Sequence, residues 1–303
     1  MKFDHILLIG FGAPEKPEEI KPYLDKFAEN LRIPAERLKE VERHYRAIGG
    51  CSPYNAEVLG FAGRLKKLLP SRHVELPVFL GMRNWNPFLD ETMRQIRARG
   101  LKKGLGIILA PHRSKASFEN YVESVEKAKE AADFRDARYE YLGPWFDDAR
   151  FIESQREKTT QCVQNGFRDA HVLFSAHSIP LSMANASRYA EEVTESSRAV
   201  AAALGLKKWS VVYHSKSGGR EEWLGPGILE TLKKLAASGE KKVFFIPIGF
   251  LCENAEILYD LDIDAKKEAE NLGIGYARAA TVIDHPKITE MFADLVREAV
   301  HGN

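Results

Sequence analysis

His177 lies in the run FSAHSIP at 174–180, where an apolar stretch passes into a proline-ended turn between small residues. A histidine so placed can project into a cleft and titrate near neutrality, as a general base must. A structural histidine bonded to a backbone carbonyl is the alternative reading. Ser175 and Ser178 beside it do not complete a GxSxG elbow, so acyl-transfer chemistry is not indicated. Glu256, Asp260 and Asp264 stand at i, i+4 and i+8 and run along one helix face, drifting by ~40° per step in an α-helix and the other way in a wider π turn. Like charges so spaced cost about 0.2–0.5 kcal/mol per pair, which a hydrated divalent cation would offset. A solvated acidic face, neutralised by Lys266 and Lys267, is the plainer reading. A third group is aromatic and basic: Phe11, Trp85, Tyr121, Trp145 and Trp223, with Arg83, Arg113 and Lys216 near them in sequence. Single aromatics are usually core, but around one cleft these would hold a flat, apolar ligand whose peripheral carboxylates meet arginine. Gly49-Gly50 before Cys51-Ser52-Pro53 supplies backbone freedom and a helix start able to hold an anion. Neither GxGxxG nor a Walker lysine is present, so nucleotide binding is not supported.

Elements that position these residues follow from the hydrophobic pattern. Short runs rich in β-branched and aromatic residues predict strands at 5–10, 74–80, 105–110 and 138–142, then at 171–176, 209–214, 242–247 and 274–279. Helix-period segments fall between them at 17–30, 55–69, 87–100, 117–132, 149–165, 187–204, 226–237, 254–271 and 286–300. That alternation is the signature of parallel sheets with crossover helices. The two series resemble each other, each opening on a strand that leads to a proline turn, HILLIGFGAP at 5–14 and HVLFSAHSIP at 171–180. The expected fold is therefore α/β with two similar Rossmann-like halves, each a four-stranded parallel sheet: 1–150, 151–285, and a last helix in 286–303 packing back on the first half. The marked residues cluster after strand ends, where an open parallel sheet places its crevice.

The chain's 303 residues carry 44 Lys+Arg against 43 Asp+Glu, a formal charge of +1. That balance offers no general attraction to nucleic acid or anionic membrane. At 44% hydrophobic the chain can fill a core, and disorder is excluded. Cys51, Cys162 and Cys252 are too scattered for a disulfide framework or a CxxC knuckle, which suits a reducing cytoplasm. No apolar run approaches the ~20 residues of a spanning helix, and the first residues do not read as a signal peptide.

Seven blocks in order resemble the ferrochelatase family, enzymes that insert ferrous iron into a porphyrin: LLIGFGAP at 7–14, HYRAIGGCSP at 44–53, FLGMRNWNP at 79–87, ILAPHRS at 108–114, FSAHSIP at 174–180, YHSKSGGREEWLGP at 213–226 and PIGFLCENAEILYDLDID at 247–264. The resemblance implies two Rossmann-like halves with the porphyrin between them. It makes His177 the catalytic histidine and Glu256 its partner, with both also candidate metal ligands, and Asp260 and Asp264 an acidic metal route on a helix with a π turn. Phe11 is placed over the macrocycle, Ser52 and Tyr121 near propionates, and Arg83 at the rim; Arg113 is a further candidate for a porphyrin carboxylate. Two departures stand out: Glu253-Asn254 replaces the family's usual DH, and His214 its usual glutamine. With three scattered cysteines no iron–sulfur cluster is expected, nor any tightly bound cofactor, iron being substrate. The blocks look most like those of soluble bacterial enzymes acting on coproporphyrin III, with protoporphyrin IX the other candidate. Such a protein is expected to be a cytoplasmic monomer, meeting an iron donor or haem acceptor only transiently. A cobalt or nickel chelatase of a reduced tetrapyrrole, or a non-catalytic tetrapyrrole carrier, are the rival functions.

Overall fold

A computed structural model describes residues 2–31, 35–162, 166–216 and 221–302. In the first half, strands β1 (His5–Gly10), β2 (Val78–Met82), β3 (Lys103–Ile108) and β4 (Arg138–Tyr141) form an all-parallel sheet in the order β2-β1-β3-β4. Its helices are α1 (Pro17–Leu31), α2 (Ala35–Ala47), α3 (Tyr54–Leu68), α4 (Leu89–Ala98) and α5 (Asn120–Ala131), the last entered through a π turn at Lys115–Glu119. In the second half, β5 (His171–His177), β6 (Trp209–His214), β7 (Lys242–Ile246) and β8 (Gly275–Arg278) repeat the order as β6-β5-β7-β8. Helices α6 (Ala149–Cys162), α7 (Leu181–Asn185), α8 (Tyr189–Leu204), α9 (Ile228–Ala237), α10 (Lys266–Asn271) and α11 (Pro286–His301) complete it, with a π-helix at Ile257–Ala265 running into α10.

Period-two alternation decides what each sheet face meets. In β1, Ile6 and Leu8 join the largest cluster while Leu7 and Ile9 pack with Met93 of α4 and Val125 of α5. In β5, Val172, Phe174 and Ala176 enter that same large cluster, and Leu173 faces Leu232 of α9 and Leu261 of the π-helix. One core thus runs through both halves. Ser175 and His177 share the face of Leu173, which turns them toward the π-helix. Helix α11 closes the shared core: Phe292 meets Phe61 of α3 edge-on at 5.3 Å and Trp145 at 5.1 Å, and Asp294 pairs with Arg72 and Arg150 at 2.6 Å each.

The likeness between the two halves is one of register. Each central strand opens on a histidine, His5 or His171, and six residues later reaches Phe11 or His177. Gly10 pairs with Met82, and Arg83 follows; Ala176 pairs with Tyr213, and His214 follows. After each of these edge strands the chain loops back alike, Met82 N donating to Pro87 O at 2.7 Å and Tyr213 N to Pro226 O at 2.9 Å.

One expected strand needs correction, and two helices went unread. The strand placed at 74–80 begins only at Val78, because Pro77 has no N–H for the ladder and contributes only its carbonyl, which accepts from Ile6 N at 2.9 Å. Helices α2 and α7 were absent from the pattern reading altogether. The part of the 149–165 helix beyond Cys162 lies outside the described residues, as do residues 217–220 of the YHSKSGGREEWLGP block.

Candidate active site

His177 ends β5 with its side chain about one-third exposed, and its Nε2 lies 3.4 Å from Glu256 Oε1. Its Nδ1 donates to the carbonyl of Ser178, and Tyr189 OH donates to the carbonyl of His177 itself at 2.9 Å. Those bonds fix the ring's orientation. Burial opposes the imidazolium, but the Glu256 carboxylate and the Ser178 carbonyl outweigh it and raise the pKa to about 9. Glu256 is shifted the other way: burial favours its neutral form, yet His177 and then His214 hold the carboxyl below its ordinary range. At neutral pH the two groups are therefore an ion pair with one proton between them. The expectation of an imidazole near its ordinary pKa does not fit this geometry.

Glu256 owes its place to a built turn. Gly249 N bonds Ser175 O at 3.1 Å, and a Cβ on Gly249 would come within 2.7 Å of Ala176 Cα, so only glycine lets the loop after β7 lie on β5. Asn254 then caps the helical turn, its Oδ1 accepting from Glu256 N at 2.9 Å and Ile257 N at 3.0 Å. The replacement of the family's usual residue by Asn254 thus has a structural role. Glu253 is also engaged, gripping Arg278 at 3.0 Å and accepting from Thr281 N at 2.8 Å.

The acidic row continues down the π-helix. Asp260 accepts from Ser215 Oγ and lies 3.0 Å from His214 Nδ1. Burial raises its carboxyl, but these partners bring it below the usual value, so it is ionised. Asp264, half-buried and next to Asp260, is shifted upward. Across from them, His44 of α2 stacks on Tyr259 with ring centroids 3.6 Å apart; burial lowers its pKa, against the upward pull of Asp260 and Asp264. His44 was missed because its helix was missed. The signal was there in Pro34 before AERLKEVERHYRA and Gly49-Gly50 after it, which bracket a helix.

In the first half, burial raises the pKa values of the Tyr23, Tyr45 and Tyr121 hydroxyls, and the charge of Glu256 adds to that rise in each. Arg83 lies over the Tyr121 ring at 5.4 Å. Phe11 is half-buried where three apolar clusters meet, one containing Trp85 and bordered by Ala255. Ser52 is buried, its Oγ accepting from Tyr54 N at 3.3 Å. Arg113 is drawn aside: its guanidinium pairs with Glu119 at 2.7 Å and lies over Phe118 at 4.1 Å, and its N–H donates to Glu192 at 2.7 Å. A charged recess on α2, lined by Glu36, Lys39, Glu42, Arg43 and Arg46, includes none of the residues singled out above. Cys51 is exposed and Cys252 buried, while the Cys162 side chain is outside the described set.

A histidine–glutamate pair at a strand end, with an acidic π-helix beside it, suits metal insertion into a ring that must lose protons. The family model named Ferrochelatase matches residues 4–300. The chain belongs to the ferrochelatase family. Among its relatives, the ferrochelatase of Rhodopirellula baltica is 33% identical over 98% of this chain and 86% of its own length. The coproporphyrin III ferrochelatases of Mycolicibacterium smegmatis and Mycobacterium tuberculosis are 32% and 33% identical, covering all of this chain and 91% and 88% of theirs. In three dimensions the chain is similar to SirB from Bacillus subtilis with Fe3+, at TM-score 0.60 and 13% identity over 98% of this chain and 95% of that one. A cobalt complex of the sirohydrochlorin chelatase SirB from Bacillus subtilis subspecies spizizenii follows at 0.55 and 12%, over 97% and 94%. The two-sheet chelatase-like fold and the assignment as a metal-inserting chelatase agree with the sequence reading. No described helix is long and apolar enough to cross a membrane.

Proposed function

We propose that this ferrochelatase-family enzyme inserts Fe2+ into coproporphyrin III, a step of haem formation in the cytoplasm, with iron as substrate and no resident cofactor. The observation that carries the reading is the His177–Glu256 pair, 3.4 Å apart and open to solvent at the end of β5. The relatives named coproporphyrin III ferrochelatases support the choice of porphyrin. In the reaction two pyrrole N–H protons leave and one Fe2+ enters, so charge balances when both protons are carried away. Because the resting pair already holds a proton, it becomes an acceptor when that proton leaves through Glu256 or is displaced by iron at His177 Nε2. The vacated pair then takes one pyrrole proton, passes it to solvent through Glu256 and takes the second. Asp260 and Asp264 supply hard oxygen donors to the arriving hydrated ion. Phe11 and Tyr121 bear on the ring, whose distortion draws on binding energy, while Ser52, Arg83 and, once released from Glu119, Arg113 meet its carboxylates. The working unit is a monomer, meeting an iron donor or haem acceptor protein transiently.

His177→Ala is expected to abolish iron insertion, followed by loss of porphyrin fluorescence, while porphyrin binding survives; near-normal turnover would remove His177 from the chemistry. A protein that binds porphyrin and stops, in wild-type form, would be a carrier. Turnover with coproporphyrin III beside protoporphyrin IX decides the substrate, a tenfold preference corresponding to about 1.4 kcal/mol in transition-state binding. Preference for cobalt or nickel and a reduced tetrapyrrole would point to the rival chelatase.

A further inference from the structure

We infer that His214 is a nitrogen ligand at a metal-transfer station between Asp260 and the His177–Glu256 pair, selective for first-row divalent transition ions. The inference rests on the chelatase reading of the same cleft. His214 is the register partner of His177 on the adjacent strand, so both side chains lie on the sheet face that meets the π-helix. Its Nδ1 lies 3.0 Å from Asp260 and 2.9 Å from Ser215 Oγ. Ser215 Oγ donates to the Asp260 carboxylate, which can only accept, so His214 Nδ1 is the donor in its contact with Asp260 and Nε2 is the ring nitrogen left over. That Nε2 is buried with no hydrogen-bond partner in a residue 6% exposed, under the Phe250 ring at 5.3 Å. An imidazole whose N–H is fixed by a carboxylate, leaving the other nitrogen unpaired, is the usual state of a metal-ligating histidine. In the ladder His214 stands directly beside His177, so its ring has Asp260 on one side and the neighbour of Glu256 on the other. No group of three metal-ligating side chains is gathered at coordination spacing among the described residues. On this inference an ion passing His214 keeps part of its water, as suits cargo in transit. Oxygen donors alone accept Mg2+ and Ca2+ as readily as iron; an imidazole in the path shifts the preference to Fe2+, Co2+, Ni2+ and Zn2+.

The test is Co2+ binding to the protein without porphyrin, read by calorimetry and visible absorption in excess Mg2+. It is run in the His177→Ala background so that His177 does not contribute. His214→Gln added to that background is expected to weaken Co2+ at least tenfold and to abolish the imidazole-ligated absorption. Unchanged Co2+ binding would overturn the station and leave Nε2 a nitrogen served by a buried water. Where His214→Gln does not fold, 15N-imidazole NMR of the wild type decides, a Zn2+-induced shift of the His214 ring supporting the station and an unmoved ring refuting it. In turnover, His214→Gln in the wild-type chain raises the KM for iron and leaves that for porphyrin unchanged. Failure of every porphyrin as substrate would sink the assigned reaction yet leave the Co2+ result standing. Normal turnover with unaltered Co2+ affinity would sink the station alone.

Discussion

His177 and Glu256 hold one proton across 3.4 Å, and neither can change charge without changing the other. The raised His177 contributes stability that is fully present below 6.5 and lost as pH rises through about 9. The depressed Glu256 contributes above its ordinary 4.5 and loses that contribution as pH falls. The pair thus supports the fold from mildly acidic pH up to about 9, and the destabilisation caused by His177→Ala, measured by denaturant unfolding, is expected to fade above that point. Glu256→Gln removes the attraction that lifts His177 and leaves the burial that lowers it. The rising limb of kcat/KM against pH should then move toward acid; an unmoved limb would mean that another group sets it. His177 and the row of Glu256, Asp260 and Asp264 were legible from residue type and spacing because their partners lie in strand-end or helical patterns. His44 and the free nitrogen of His214 were not legible, since each depends on a neighbour brought from another element, Tyr259 for one and Asp260 for the other.

A helix that carries three carboxylates on one face needs its first turn secured. Asn254 supplies this by accepting from two backbone N–H groups that otherwise lack partners. Asn254→Ala is expected to cost about 1 kcal/mol in unfolding free energy, and to raise the KM for iron more than that for porphyrin as Glu256 and Asp260 lose their fixed spacing. Equal effects on both KM values would show that the turn serves the whole cleft. Most elements could be read from periodicity, but the π turn could not, since the i, i+4, i+8 spacing fits an α-helix as well and only the family resemblance implied it. Helix α2 was passed over although Leu38, Val41 and Tyr45 recur at helical spacing and join the cluster of Trp85, because its many charges mask that stripe. The start of β2 was misplaced for a related reason: Val74 and Leu76 are as apolar as the strand, and only Pro77 marks where pairing begins.

The largest apolar cluster threads both sheets and α11, so the halves are expected to unfold together. Phe292→Ala removes a ring that touches both Phe61 and Trp145, and should cost about 3–5 kcal/mol. Calorimetry should show one cooperative transition moved to lower temperature; two separate transitions would mean that each half stands alone. Sequence likeness between the two series announced the repeat, but not that one core is common to both, because alternation tells which residues share a face and not what that face meets. The repeat has a further consequence in the twin positions. Where the first half presents Phe11 and Arg83, the second presents His177 and His214: a hydrocarbon and a fixed cation against two titratable nitrogens. Imidazole is confined to one member of each twin pair, and the carboxylates of the π-helix belong to the same half. On the proposed reaction, a planar substrate with inequivalent faces, held in one orientation between such unlike partners, is expected to meet metal on a single face. In that reaction the sidedness of delivery follows from which half carries the histidines.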